Sequence, residues 1–159
     1  MKENPQKDTA GVIAPPPFIF AIFLAVGWGI DQALGAGPIA GQAMWQKVVA
    51  VALIAAGLGI EMWAAGLFHR AGTAAMPQKP STALVTDGPF RFSRNPMYLG
   101  FALTYLGLGF GLNTPIGIGL LLPCMIVVTW GVVLREERYL EAKFGQPYRD
   151  YKARVRRWL

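Results

Sequence analysis

Charged residues are scarce in this chain: Asp, Glu, Lys and Arg together make up 15% of it, against about 25% in an ordinary soluble domain. Hydrophobic residues make up 53%, and the mean hydropathy is +0.37. This composition excludes a typical soluble domain and predicts an all-α integral membrane protein. At about 20 apolar residues per span, the 159 residues allow one domain of roughly four spans, so any chemistry must come from helix ends and the short loops beside them.

The chain contains one cysteine and one histidine. Cys124 lies in an apolar run and has no partner for a disulfide within the chain, so we expect it to face lipid or to fill a packing gap. We expect His69, at the end of a span, to lie at the membrane interface. One histidine and one distant cysteine do not make a metal-ligand set, so no metal site is predicted.

Lys and Arg are absent from residues 35–44 but recur in residues 69–96. Because basic loops stay on the cytoplasmic side, this asymmetry predicts that both termini are cytoplasmic, in a bacterial plasma membrane. We expect residues 1–14 to be a flexible cytoplasmic arm, with a cleaved signal peptide as the alternative, and residues 15–159 to form a single domain. The four transmembrane helices are predicted at about residues 18–34, 45–67, 97–112 and 116–134.

The formal net charge of +6 would favour nucleic acid in a soluble protein, but here the basic residues cluster beside the spans. That arrangement is typical of contact with a membrane surface. We therefore expect the bilayer and a lipophilic small molecule or lipid as partners, and no nucleic acid. The oligomeric state stays open.

The last two spans are joined by the uncharged turn Asn113–Pro115, which predicts a helical hairpin. After Leu134 the sequence becomes polar, with eight basic and four acidic residues up to Leu159. Apolar residues recur there at near-helical spacing, which predicts two amphipathic cytoplasmic helices, broken at residues 145–147 and lying along the membrane surface. An electrostatic anchor to anionic lipid is the simpler interpretation of this tail.

Two acids lie within or near the predicted spans. Asp31 is close to the end of the first span, and we expect it to be interfacial. Glu61 is deep in the second span, where an acid is costly and is a functional candidate. A hydrogen bond from Glu61 to a neighbouring helix is the alternative.

Two polar clusters are predicted at the same membrane boundary. One precedes and opens the third span, where Pro96 sets the first helical turn, and the other follows the fourth span. A hairpin would bring the clusters together in a pocket that is half polar and half apolar, which suits a polar cofactor meeting an apolar substrate. The first cluster comprises Arg91, Ser93, Arg94, Asn95 and Tyr98, and the second Glu136 and Glu137.

From about Ala71 onward, the chain resembles the isoprenylcysteine carboxyl methyltransferases and their phospholipid methyltransferase relatives, a membrane-embedded family. The resemblance rests on the order and spacing of several landmarks. These are Gly72-Thr73, Pro77, the segments Leu84–Arg91 and Arg94–Gly100, the pair Glu136-Glu137, and then Leu140, Phe144-Gly145, Tyr148, Tyr151 and Val155.

The resemblance implies methyl transfer from S-adenosylmethionine at the cytoplasmic membrane face. By position, it implies that Arg94, Asn95, Tyr98, Glu136 and Glu137 line the cofactor site, covered by the tail. It also implies that three glycines of the third span leave space for the cofactor, namely Gly100, Gly107 and Gly109. We expect Arg94 and Glu137 to carry the catalysis, with Arg94 as an anion clamp; snorkelling of Arg94 to lipid phosphate is its alternative.

Many members of that family have His where this chain has Asn95, so a titrating base is missing at this position. A carboxylate or thiolate acceptor needs no base, whereas an amine or phenol would need one, from Glu61 or Glu137. The acceptor itself stays open among a prenylated cysteine, a phospholipid amine, an isoprenoid acid and a small thiol. Two other functions stay open: a membrane reductase resembling the sterol reductases, and a noncatalytic lipid-binding or scaffold protein.

Overall fold

The computed structural model describes residues 8–37, 39 and 43–159, and these form helices and connecting loops without a strand. Three helices are long and apolar enough to cross a membrane. α3 has 16 residues, fewer than the about 20 that span the hydrocarbon core, so a count of four spans stays a prediction. The helices are α1 (Pro16–Leu34), α2 (Met44–Arg70), α3 (Pro96–Gly111), α4 (Pro115–Gly119), α5 (Leu121–Val128), α6 (Leu134–Phe144) and α7 (Gln146–Arg154).

α2 and α3 form the closest helix pair in the structure. They approach closely because glycine removes the side chain at the crossing points. A Cβ on Gly100 would lie 2.9 Å from the carbonyl oxygen of Gly57, and one on Gly107 would lie 2.7 Å from that of Ala50. α3 therefore packs chiefly on the preceding helix, whereas the sequence suggested a hairpin with the following one.

α1 closes the other side of the bundle. Its residues Ile19, Phe20 and Leu24 form a buried core with Tyr98 and Tyr105 of α3 and with α5. Cys124 of α5 is completely buried in this core. Cys124 therefore fills space in the protein core, as one of the two expectations had it. The other expectation, that it faces lipid, is wrong.

The turn between α3 and α4 is built on short polar side chains. Asn113 adopts a positive φ of 56°, and the Thr114 hydroxyl caps α4 by accepting the backbone N–H of Gly117 at 3.0 Å. Asp31 accepts hydrogen bonds from the Thr114 hydroxyl and from the backbone N–H of Ile116. Asp31 is only 4% exposed and is a buried cap, because the start of α4 offers it two donors; its interfacial depth stays a prediction.

The last long helix continues beyond the predicted end of its span. α5 passes through a π-helical turn at Thr129–Val133 directly into α6, so the helix extends from Pro115 to Phe144. Helices are present where the two tail helices were predicted, as α6 and α7, and α6 continues the preceding helix without an interruption. The predicted break at residues 145–147 falls at Gly145, whose φ is 61°. Placement of α6 and α7 along a membrane surface stays a prediction.

Residues 8–14, the described part of the predicted arm, contact the helix bundle; residues 1–7 lie outside the described part of the chain. The Ile13 N–H donates to the carbonyl of Gly131 at 3.2 Å, and Arg135 donates to that of Gly11 at 2.8 Å. The segment is thus attached along the π-helical turn and α6.

Candidate functional site

A cavity of about 100 Å³ lies where α3 begins and α6 and α7 meet. Its remaining wall is the loop between α2 and α3. Most of the lining is apolar, with polar side chains grouped on the helix ends. The polar lining residues are Ser81, Arg94, Asn95, Tyr98, Glu136, Glu137, Tyr139, Tyr148 and Tyr151, and the principal apolar ones are Phe68, Leu84, Val85, Phe90, Met97 and Leu140.

The start of α3 brings Arg94 to the cavity. Pro96 is the first residue of the helix, and Asn95 before it has the non-helical angles φ −130° and ψ 50°, as expected before proline. Asn95 is 8% exposed, and its side-chain amide donates to the carbonyl of Arg157 at 2.9 Å. The Ser93 hydroxyl donates to the same carbonyl at 3.1 Å. Asn95 and Ser93 therefore hold the end of the chain beside the cavity.

Glu137 is enclosed by two guanidinium groups. One of its oxygens lies 2.9 Å from Nη2 of Arg94, and Arg157 binds both oxygens through Nε and Nη2, each at 2.9 Å. This contact joins the two polar clusters, so their predicted meeting is confirmed. The paired charges also raise the pKa of Arg157 above its usual range, chiefly through its hydrogen bond to Glu137.

Glu136 has a different environment from its neighbour. The Tyr98 hydroxyl bonds to its carboxylate at 2.8 Å and 2.9 Å, and no cation pairs with it among the described residues. Burial raises the pKa of Glu136 to about 7, the Tyr98 hydrogen bond opposes that rise, and the charge of Glu137 adds to it. At neutral pH, Glu136 can therefore both accept and release a proton.

Arg94 is largely buried and keeps one donor without a partner. Its side chain is 8% exposed, its Nη2 pairs with Glu137, and its Nη1 contacts the carbonyl of Lys152 at 3.4 Å. Its buried Nε has no hydrogen-bond partner in the described structure. A buried donor without a partner is costly.

The structure places the three predicted site glycines away from the cavity. Gly100 and Gly107 face α2 as described above, and a Cβ on Gly109 would lie 2.6 Å from Cγ1 of Ile118. The space beside each glycine is filled by a neighbouring helix. The expectation that they make room for a cofactor is therefore corrected, because their small size serves close helix packing.

The remaining candidates lie outside the cavity lining. Glu61 accepts a hydrogen bond from the Thr104 hydroxyl of α3 at 3.0 Å, which is the helix–helix contact considered as its alternative. His69 is exposed in the last turn of α2. Arg91 is exposed and does not line the cavity.

Sequence reasoning did not assign several residues to this site. Arg157 was one of several tail arginines, and nothing in its spacing distinguished it. Tyr139 and Ala10 line the cavity from segments expected to be surface helix and flexible arm. Tyr148 and Tyr151 belonged to the apolar repeat of the tail, and the Tyr151 hydroxyl donates to the carbonyl of Phe90 at 2.7 Å, so that repeat was the available signal.

Comparison with known proteins agrees with this architecture. A curated, uncharacterized protein of Haemophilus influenzae is 54% identical over 35 residues, which is 22% of this chain and 56% of that protein. The chain thus spans little more than half the length of this relative. The family model described as phospholipid methyltransferase matches residues 45–147, well over half of the chain. The chain therefore belongs to the phospholipid methyltransferase family, whose members are membrane methyltransferases.

Proposed function

We propose that this protein transfers the methyl group of S-adenosylmethionine to a lipophilic acceptor at the cavity described above. The supporting observation is a carboxylate without a cation, Glu136, beside a buried ion pair, in a mostly apolar cavity at the end of membrane-spanning helices. Such a position gives one site access to a polar donor and to a substrate held in the bilayer.

The residues present fit this methyl donor. It carries a carboxylate, an ammonium, a sulfonium and an aromatic base. Glu136 suits a cationic group because no side chain of the described structure neutralises it. The Arg94 guanidinium lines the cavity and suits an anionic oxygen, and the apolar and aromatic wall suits a planar base.

When bound, S-adenosylmethionine supplies a methyl group attached to a positively charged sulfur. The reaction then needs alignment and exclusion of water more than it needs strong acid or base catalysis. In this proposal Arg94 and Glu137 set the wall geometry, because their mutual contact fixes the start of α3 against α6. Glu136 lies next to Glu137 and lines the cavity, where it would hold a cationic group of the donor.

The geometry favours Glu136 over Glu137 as a proton acceptor. Both oxygens of Glu137 are occupied by guanidinium groups, and Glu61 lies outside the cavity. An amine or phenol acceptor would transfer its proton to Glu136, whose pKa of about 7 suits a base near neutral pH. A carboxylate or thiolate acceptor would use Glu136 for charge placement only.

The test is direct binding followed by turnover. Purified protein in lipid nanodiscs should bind S-adenosylhomocysteine in calorimetry, and it should transfer labelled methyl from S-adenosylmethionine into an apolar extract of the nanodisc lipids or of added isoprenoid acceptors. Glu141→Gln, at an exposed ion pair on the same helix as Glu136, serves as the control for substitutions of Glu136. It should retain both binding and methyl transfer. Folded wild-type protein that neither binds the probe nor labels any acceptor would contradict the proposal.

A further inference from the structure

A short segment preceding α1 contributes to the wall of the cavity. This strap, residues 8–14, precedes the region matched by the family model, which begins at residue 45. Ala10 is part of the cavity lining, and its N–H donates to the carbonyl of Pro77 in the opposite wall at 3.4 Å. The strap thus joins two walls of the site through a segment that the family match does not include.

One end of the strap is firmly held. Val12 and Ala14 pack against the buried core that α1 forms with α3 and α5. Ile13 lies directly over Gly131 of the π-helical turn, where an added Cβ would come within 2.8 Å of its Cγ1. Apolar packing and the lack of a side chain at Gly131 therefore fix this end.

The other end is held by an exposed polar contact. Asp8 pairs with Lys143 at 2.6 Å, and the two side chains are 51% and 27% exposed. The Tyr139 hydroxyl bonds to Asp8 at 3.0 Å and accepts the backbone N–H of Ser81 at 3.0 Å. Exposed ion pairs are weak and are screened by salt, so this end can release while the other stays in place.

We propose that the strap opens and closes over the cavity, with Val12–Ala14 as its fixed end and the contact among Asp8, Tyr139 and Lys143 as its latch, and that closure retains the bound ligand. The identity of the ligand rests on the proposed function, whereas the opening movement does not. The latch sets how fast ligand leaves, and the cavity residues set how tightly it is held.

The first test compares two ion pairs of the same kind. Lys143→Met removes the latch, and Lys152→Met removes the exposed pair with Glu141, at 3.0 Å between α6 and α7. Bound S-adenosylhomocysteine should dissociate about two- to fivefold faster from Lys143→Met, as expected for loss of an exposed pair, and at the wild-type rate from Lys152→Met. Added salt should accelerate release from the wild type but not from Lys143→Met. Equal rates in all three proteins would overturn the proposal.

A second measurement needs no ligand. Met97 lines the cavity, so a Met97→Cys variant should react with a charged, membrane-impermeant thiol reagent only through the mouth; Cys124 is completely buried. Labelling should be faster when Lys143→Met is added, and unchanged when Lys152→Met is added instead. Unchanged labelling would reject the strap. Absence of S-adenosylhomocysteine binding, with labelling that still depends on the latch, would reject the proposed function alone.

Discussion

The two ends of the helix bundle each contain a carboxylate without a cationic partner in the described structure. At the turn between α3 and α4, Asp31 is 4% exposed and accepts hydrogen bonds from a hydroxyl and a backbone N–H. At the other end, Glu136 bonds to one hydroxyl and lines a cavity. The same chemical group therefore completes a helix start in one place and remains available to a ligand in the other. The difference lies in what surrounds the carboxylate, since donors fill the space around Asp31 and a cavity opens beside Glu136.

The largest expected effect that separates the two carboxylates is on catalysis. Glu136→Gln removes the negative charge but retains the shape, and we expect the methyl-transfer rate to fall about 100-fold or more, the lower range for loss of a positioned acid–base group. Asp31→Asn should leave the rate per folded molecule within about twofold of wild type, a margin typical of residues that touch no reacting group. Radiolabelled methyl transfer, normalised to folded protein, measures both. Equal losses in the two variants would remove the distinction between the ends.

The second effect should appear in stability and in the opposite order. Asp31→Asn keeps one acceptor oxygen but places an amide NH2 where a carboxylate oxygen now lies 3.4 Å from the Ile116 nitrogen, and a buried donor left without its partner costs about 1–3 kcal/mol. Glu136→Gln should change the free energy of unfolding less, because the amide oxygen still accepts from Tyr98. Thermal unfolding in matched nanodiscs checks the order. If Glu136→Gln unfolds at a lower temperature than Asp31→Asn, the carboxylate at the cavity end has the larger structural role.

The cavity end of the bundle could be predicted in part from the sequence. Arg94, Asn95 and Pro96 predict a helix start because proline fixes the first turn, and the proximity of Glu137 followed from adjacent helix ends. Family membership was confirmed on the same residues. The sequence could not show that Glu137 is paired with cations while Glu136 is not. That difference depends on Arg157, near the end of the chain, which binds both oxygens of Glu137. Gly100, Gly107 and Gly109 were placed wrongly because a small residue fits both a cofactor and a neighbouring helix, and only the packing partner decides.

Arg157 offers a third test, since it makes Glu137 unlike Glu136. Arg157→Ala leaves Glu137 with Arg94 alone and frees the end of the chain from the cavity wall. Because the Arg157 side chain is 35% exposed, we expect a loss of about 1 kcal/mol in the binding of S-adenosylhomocysteine, roughly a fivefold weaker affinity. Arg156→Ala is the matched control, because that exposed side chain makes no ion pair in the described structure. Calorimetry that finds both variants equal to wild type would show that Arg94 alone positions Glu137 for ligand binding.

The smallest effect concerns the pH at which Glu136 ionises. Its pKa is raised in the folded protein to about 7, so its contribution to the free energy of unfolding is fully present below about pH 4.5, its usual value, and is lost as the pH rises through 7. If Glu136 acts in its ionised form, the rate should instead rise through pH 7 to a plateau. The hydrogen bond from Tyr98 lowers this pKa, so Tyr98→Phe should move the inflection of the pH–rate profile upward by about half a pH unit. Tyr105→Phe serves as the control, because the Tyr105 hydroxyl bonds to the carbonyl of Gly117 and Tyr105 does not line the cavity. A downward shift in Tyr98→Phe, or the same shift in both variants, would mean that another group controls the rate.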